Sequence, residues 1–226
     1  MEWEIPGLPA GWDNIIQGHN SEVEVIVYEK DFWQIVAQGL LRSDFEWLEP
    51  LRAFVSSIIV FGCWDNGDTN RGCREPYVLL RILEATSAVV VDKEAEYIRN
   101  AQSWFQETQA QYPELFGAYD LEFVISDMTR ETDELTTNCF DLAYCSGVLY
   151  FMRSDADKLQ ASVNTMARVV RPGGWVIANE DKGLNRYFEG AGLEKAECLD
   201  NAPEYAYCYR KPHYSYVGRP SSQVRR

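Results

Sequence analysis

Histidine, basic charge and long apolar runs are all scarce in this chain. Only His19 and His213 occur among 226 residues. The six cysteines, at 63, 73, 139, 145, 198 and 208, form no CxxC pair and no cluster with histidine, so no metal site is expected. Lys and Arg number 21 against 35 Asp and Glu, a net charge of −14. Binding to nucleic acid relies on basic side chains that neutralise phosphates, so such a partner is not expected. The one basic-leaning stretch, Arg210 to Arg226, reads as a solvated, flexible tail. No apolar run approaches the ~20 residues that span a bilayer. Met1-Glu2-Trp3-Glu4-Ile5-Pro6 has no basic n-region or apolar h-region of a signal peptide. A cytoplasmic protein with no membrane partner is the expectation.

What is present is 46% hydrophobic residues and 25% charged, ordinary for a folded domain. Residues 1–30 are aromatic and acidic, with alternation over 22–28 that fits a short strand or a lid segment. Helical patterning runs from Asp31 and again over roughly 43–55, where Phe45, Leu48, Leu51 and Phe54 recur and Pro50 predicts a kink or split. Strands are predicted at Ile58–Phe61, Ala88–Val91, Leu121–Ile125, Phe140–Tyr144 and Trp175–Ala178. Helices are predicted at Pro76–Glu84, Lys93–Gln111, Ala156–Val170 (closed by Arg171-Pro172-Gly173-Gly174) and Leu184–Ala191. Leu193–Leu199 and Tyr205–Tyr209, joined by Asp200-Asn201-Ala202-Pro203, predict an antiparallel hairpin. No linker divides the chain, so one domain is expected.

Chemistry-bearing residues gather at strand ends. Phe61 runs into Gly62, whose missing Cβ lets backbone amides approach a ligand, although glycines also end strands for structural reasons alone. Asp92 ends an apolar strand, where it either receives ribose hydroxyls or caps the next helix. Asp127 follows the third strand, as a ligand contact or as a turn-forming acid. Cys145-Ser146-Gly147 follow the fourth and leave room for a ligand. Asp141, at a strand start, reads as a solvated or capping acid. In open α/β sheets, ligands bind at the carboxyl ends of the strands.

The series Ile59-Val60-Phe61-Gly62-Cys63, Val89-Val90-Val91-Asp92, Val124-Ile125-Ser126-Asp127-Met128, Phe140 to Tyr150 and Val169-Val170-Arg171-Pro172-Gly173-Gly174-Trp175 resembles the class I S-adenosylmethionine-dependent methyltransferases. The resemblance covers roughly residues 56–211. It implies a Rossmann-like three-layer α/β/α sandwich, with a mostly parallel seven-stranded sheet and an antiparallel C-terminal hairpin. It makes 56–211 the core, 1–55 a cover segment of the same domain and 212–226 a tail. The cofactor implied is S-adenosylmethionine. Gly62 and Cys63 would approach its methionine part, Asp92 the ribose, and Asp127 with Met128 the adenine, with Trp64, Gly67 and Lys93 as further cofactor-binding candidates. Cys145, Ser146 and Gly147 would line the methyl-donor side.

The first motif departs from the family, which shows an acid before the loop and two or three close glycines. Here Phe61 precedes Gly62, and Trp64-Asp65-Asn66 precede Gly67. Arg74-Glu75-Pro76-Tyr77 is similar to the Glu-Pro-Tyr of chemotaxis-receptor methyltransferases, which makes Asp68–Cys73 an insertion. The activity implied is methyl transfer to a small-molecule acceptor, with positioning dominant. His19, Glu180 and Asp181 are the candidates for a base. A non-catalytic binding or scaffold protein is the alternative, and a nicotinamide-dependent oxidoreductase a more distant one.

Overall fold

The computed structural model describes residues 46–63, 75–111, 113, 117–180, 183–196, 199 and 202–213. The calls on residues 1–45 and on the tail beyond 213 lie outside them.

Seven strands form one sheet: β1 (Ser57–Phe61), β2 (Ser87–Asp92), β3 (Asp120–Ile125), β4 (Phe140–Ser146), β5 (Val170–Asn179), β6 (Glu194–Lys195) and β7 (Ala206–Arg210). Their order is β3-β2-β1-β4-β5-β7-β6. The pairs among β1 to β5 are all parallel. β7 runs antiparallel to both β5 and β6, as the predicted hairpin requires, although β6 is only two residues long. The order reverses between β1 and β4, and that switch point opens a crevice at the carboxyl ends of both strands.

The sheet is apolar on both faces because both are covered. Helices α1 (Glu75–Leu83) and α2 (Ala95–Gln111) lie in one layer, and α3 (Ala156–Val169) and α4 (Asn185–Gly190) in the other. Ile58, Val60, Tyr144 and Ile177 pack into the first layer, and Ile59, Phe61, Cys145 and Val176 into the second. This alternation along each strand follows from its period of two. α3 buries Leu159, Val163 and Met166 at helical spacing, and Asp155 caps its start by accepting the Lys158 amide at 3.1 Å. Phe188 of α4 stacks on Tyr207 and Tyr209 of β7, with ring centres 5.5 and 4.7 Å away.

Three expectations need correcting. The stretch around Pro50 is a short 3-10 helix, Glu46–Leu51. Leu48 and Leu51 are buried, but the helix ends there and Phe54 stands 60% exposed. Arg171-Pro172-Gly173-Gly174 is no loop between α3 and a later strand: β5 begins at Val170 and contains it. Phe140 pairs with Val170 and Leu142 with Trp175, so the extra residues form a bulge. Glycine is required there: Gly173 has φ +82°, and a Cβ on Gly174 would lie 2.8 Å from the Asp141 carbonyl oxygen. Asp141 itself is not solvated. It is 3% exposed and accepts hydrogen bonds from the Ser56 amide and hydroxyl and the Ser57 amide at 2.7, 2.8 and 3.0 Å. Arg171, from the bulge, pairs with its other oxygen.

The end of the sheet is clasped by Lys211. Its Nζ donates to the Asn138 side chain and to the carbonyls of Ala167 and Val170, at 2.7 to 2.8 Å, closing the last turn of α3.

Candidate active site

A cleft of about 1180 Å³ lies across the carboxyl ends of β1, β2 and β3, walled by the loop after β4 and the start of α3. Ligand pockets typically run to roughly 300–1,000 Å³. There is space for an adenosyl cofactor and part of a second molecule.

The glycine turn forms its floor. Gly62 has φ +89° and donates its amide to the Val91 carbonyl at 2.8 Å, joining the ends of β1 and β2. A Cβ at this position would lie 2.4 Å from Val148 Cγ2. The backbone of β1 therefore meets the loop after β4 at a distance only glycine allows. Cys63 turns its side chain into the α1–α2 layer and is buried. Its contribution is its amide, which donates to Asp92 Oδ2 at 2.9 Å. Trp64 and Gly67 lie outside the described residues.

Asp92 serves both readings of its sequence position. Oδ1 accepts the Glu94 amide at 2.9 Å, an Asx turn that starts the approach to α2. Each carboxylate oxygen has two lone-pair directions, so one amide bond on each leaves further capacity, and the residue lines the cleft. Lys93 is exposed beside it, 3.7 Å from Glu94, and both line the cleft.

Asp127 Oδ1 accepts the amide and hydroxyl of Thr129 at 2.9 and 2.7 Å, and Oδ2 faces Arg130 at 3.5 Å. Burial alone pushes its pKa up. The two bonds from Thr129 and the charges of Arg130 and Lys93 outweigh that and hold it below the ordinary value. Asp127 is thus an ionised turn-former at the cleft wall. Met128 beside it is buried against the α3 layer while also lining the cleft.

The remaining candidates fall elsewhere. Cys145 does not face the cleft: it is wholly buried under α3, its sulfur 3.8 Å from that of Met166. Burial, aided by the negative charge of Glu180, pushes its thiol pKa well up. Ser146 and Gly147 are exposed at the sheet edge, outside the cleft lining. The wall they were expected to form is made by Val148, Phe151 and Met152. Glu180 is 4% exposed, and its two carboxylate oxygens accept the amides of Leu149 and Tyr150 at 2.8 and 3.0 Å. It is committed to backbone rather than poised over the cleft as a base. His19 and Asp181 lie outside the described residues. Among the described residues no group of His, Cys, Asp and Glu could hold a metal, and no helix is long and apolar enough to cross a membrane.

Sequence reasoning did not carry Val148, Phe151 and Asp155 to the cleft. The signal was available in part: an apolar run after Gly147, then the capping residue of the next helix.

Strand order, inserted antiparallel strand and switch-point cleft together define a class I methyltransferase fold. The family comparison agrees with that fold: residues 72–178, just under half of the chain, match the model of a methyltransferase domain. Among solved structures, an O-methyltransferase family protein from Burkholderia thailandensis is 11% identical with a TM-score of 0.56, over 86% of this chain and 61% of that one. An S-adenosylmethionine-dependent methyltransferase from Clostridium acetobutylicum is also 11% identical, with a TM-score of 0.51 over 80% and 98%. At these identities the likeness is one of fold. No curated protein matches the sequence.

Proposed function

We propose that this chain transfers a methyl group from S-adenosylmethionine to a small-molecule acceptor. The observation that carries the reading is the junction of Gly62 and Asp92 at the floor of the switch-point cleft. The Cβ-free turn brings backbone to the cleft, and the Cys63 amide fixes the Asp92 carboxylate with acceptor capacity left over. That carboxylate acceptor suits the hydrogen-bond donors of vicinal ribose hydroxyls. Asp127 and Met128 offer a polar edge and an apolar surface suited to an adenine ring, with Lys93 at the rim.

S-adenosylmethionine, when bound, supplies an already electrophilic methyl group. The protein's task is then to orient the acceptor and exclude water. Val148, Phe151 and Met152 supply an apolar wall for that purpose. Residues 1–55 are the proposed cover over the acceptor, 56–211 the catalytic core and 212–226 a tail. An acidic chain with an aromatic cover favours a neutral or cationic small molecule over nucleic acid. A cytoplasmic setting belongs to the same reading, in keeping with the unpaired thiols of Cys139 and Cys145.

Thermal melting tests the proposal. S-adenosylhomocysteine at ~100 times its dissociation constant contributes about 2.7 kcal/mol and should raise Tm by several degrees, whereas NAD should leave it unchanged. No shift at millimolar S-adenosylhomocysteine would favour the scaffold alternative.

A further inference from the structure

The loop after β4 walls the cleft, and while its later amides bond locally, the first two of its turn are met from elsewhere in the chain. Val148 precedes a four-residue 3-10 turn, Leu149–Met152, and provides no side-chain cap. Helix starts usually satisfy their amides locally, with Ser, Thr, Asp or Asn. Here the acceptor comes from 31 residues downstream. Glu180, directly after β5, takes the Leu149 and Tyr150 amides on separate carboxylate oxygens. Its own amide donates to the Tyr205 carbonyl at 2.9 Å, and Gly147 donates to the Asn179 carbonyl at 3.0 Å. The loop is therefore tied at two points to the end of β5.

A buried carboxylate is costly to remove from water, and charge-assisted bonds to fixed amides offset that cost. What the arrangement secures is the position of Val148 against Gly62, with Phe151 and Met152 beside it on the cleft wall.

Resting on the methyltransferase reading, we infer that Glu180 is a positioning residue: it holds the 148–152 wall against the glycine turn and so sets the width of the cofactor cleft. It acts through Val148, so the two residues are coupled in binding.

The full chain and its Glu180→Gln, Val148→Ala and double variants test this by calorimetric titration with S-adenosylhomocysteine, at a temperature where each is folded by circular dichroism. Glu180→Gln should weaken binding about tenfold, the loss of one charge-assisted bond. The double variant should bind no more weakly than Glu180→Gln alone. A purely structural role would lower Tm and leave the two losses multiplying. Multiplying losses, or wild-type affinity in Glu180→Gln, would overturn the inference.

Amide hydrogen exchange in the wild-type protein gives a readout that needs no variant to fold. Leu149 and Tyr150 should be protected without ligand, and fast exchange at both would remove Glu180 as the anchor. Wild-type protein that binds no S-adenosylhomocysteine refutes the methyl-transfer reading instead. Exchange at the two amides then decides alone whether Glu180 holds the loop.

Discussion

The two ends of the sheet use aspartate in opposite ways. At the amino end, Asp141 takes three hydrogen bonds from Ser56 and Ser57 and an ion pair from Arg171, and is sealed from solvent. At the carboxyl end, Asp92 takes the Cys63 and Glu94 amides and stands at the cleft. Both residues sit at strand termini beside β1. The difference is access. A carboxylate buried among four polar contacts holds strands together, whereas one with two amide partners and a place on the cleft wall can receive a ligand.

Substitutions at the two ends should separate stability from affinity. The largest effect is expected for Asp141→Ala. It leaves the Ser56 and Ser57 amides and the half-exposed Arg171 guanidinium without their carboxylate and should cost about 1.5–3 kcal/mol in denaturant titration, with S-adenosylhomocysteine affinity within about twofold of wild type. The same site carries a pH signature. Burial pushes the Asp141 pKa up, but the bonds from Ser56 and Ser57 and the Arg171 charge bring it below the ordinary 3.8. A folded value below the unfolded one means its contribution is whole above pH 3.8 and is lost as pH falls through the folded value. Asp141→Asn should therefore lose stability less steeply below pH 3.8 than wild type does.

Asp92→Ala comes next and should act on affinity. Each charge-assisted bond to the ribose is worth about 1.5–3 kcal/mol, so binding should weaken at least tenfold by calorimetry. The stability loss should stay near 1 kcal/mol. A large loss of stability with unchanged affinity would erase the contrast between the two aspartates. Gly62→Ala probes the contact between the turn and the loop after β4. A side chain at φ +89° costs about 1–2 kcal/mol, and the clash with Val148 should ease when Val148→Ala is added. If the double variant is no more stable than Gly62→Ala in denaturant, the contact between turn and loop is less tight than its geometry.

The strands were legible because apolar runs such as Ile58–Phe61 and Ala88–Val91 are buried from both sides by helices and carry the pattern in few residues. Asp92 and Gly62 were legible for a related reason: a polar or Cβ-free residue at the end of such a run is conspicuous. The bulge at Arg171–Gly174 was not, because Pro-Gly-Gly signals a turn locally and only pairing with β4 and β7 draws it into a strand. The role of Glu180 was hidden for the same kind of reason, since its partners lie 30 and 31 residues away. Cys145 was misplaced because alternation along β4 decides which face a side chain joins, and spacing after the strand does not reveal it.

The Asp141 bonds to Ser56 and Ser57 span 85 and 84 residues of chain. They accompany the pairing of β1 with β4, which joins equally distant segments at the centre of the sheet. On the ribosome, β1, β2 and β3 emerge first, and one edge of the apolar β1 has no partner until residue 145 follows. Non-local closure of this kind is slow, and an open apolar edge invites pairing with other chains. The central strand that positions the cleft is therefore also a stretch open to mispairing during synthesis.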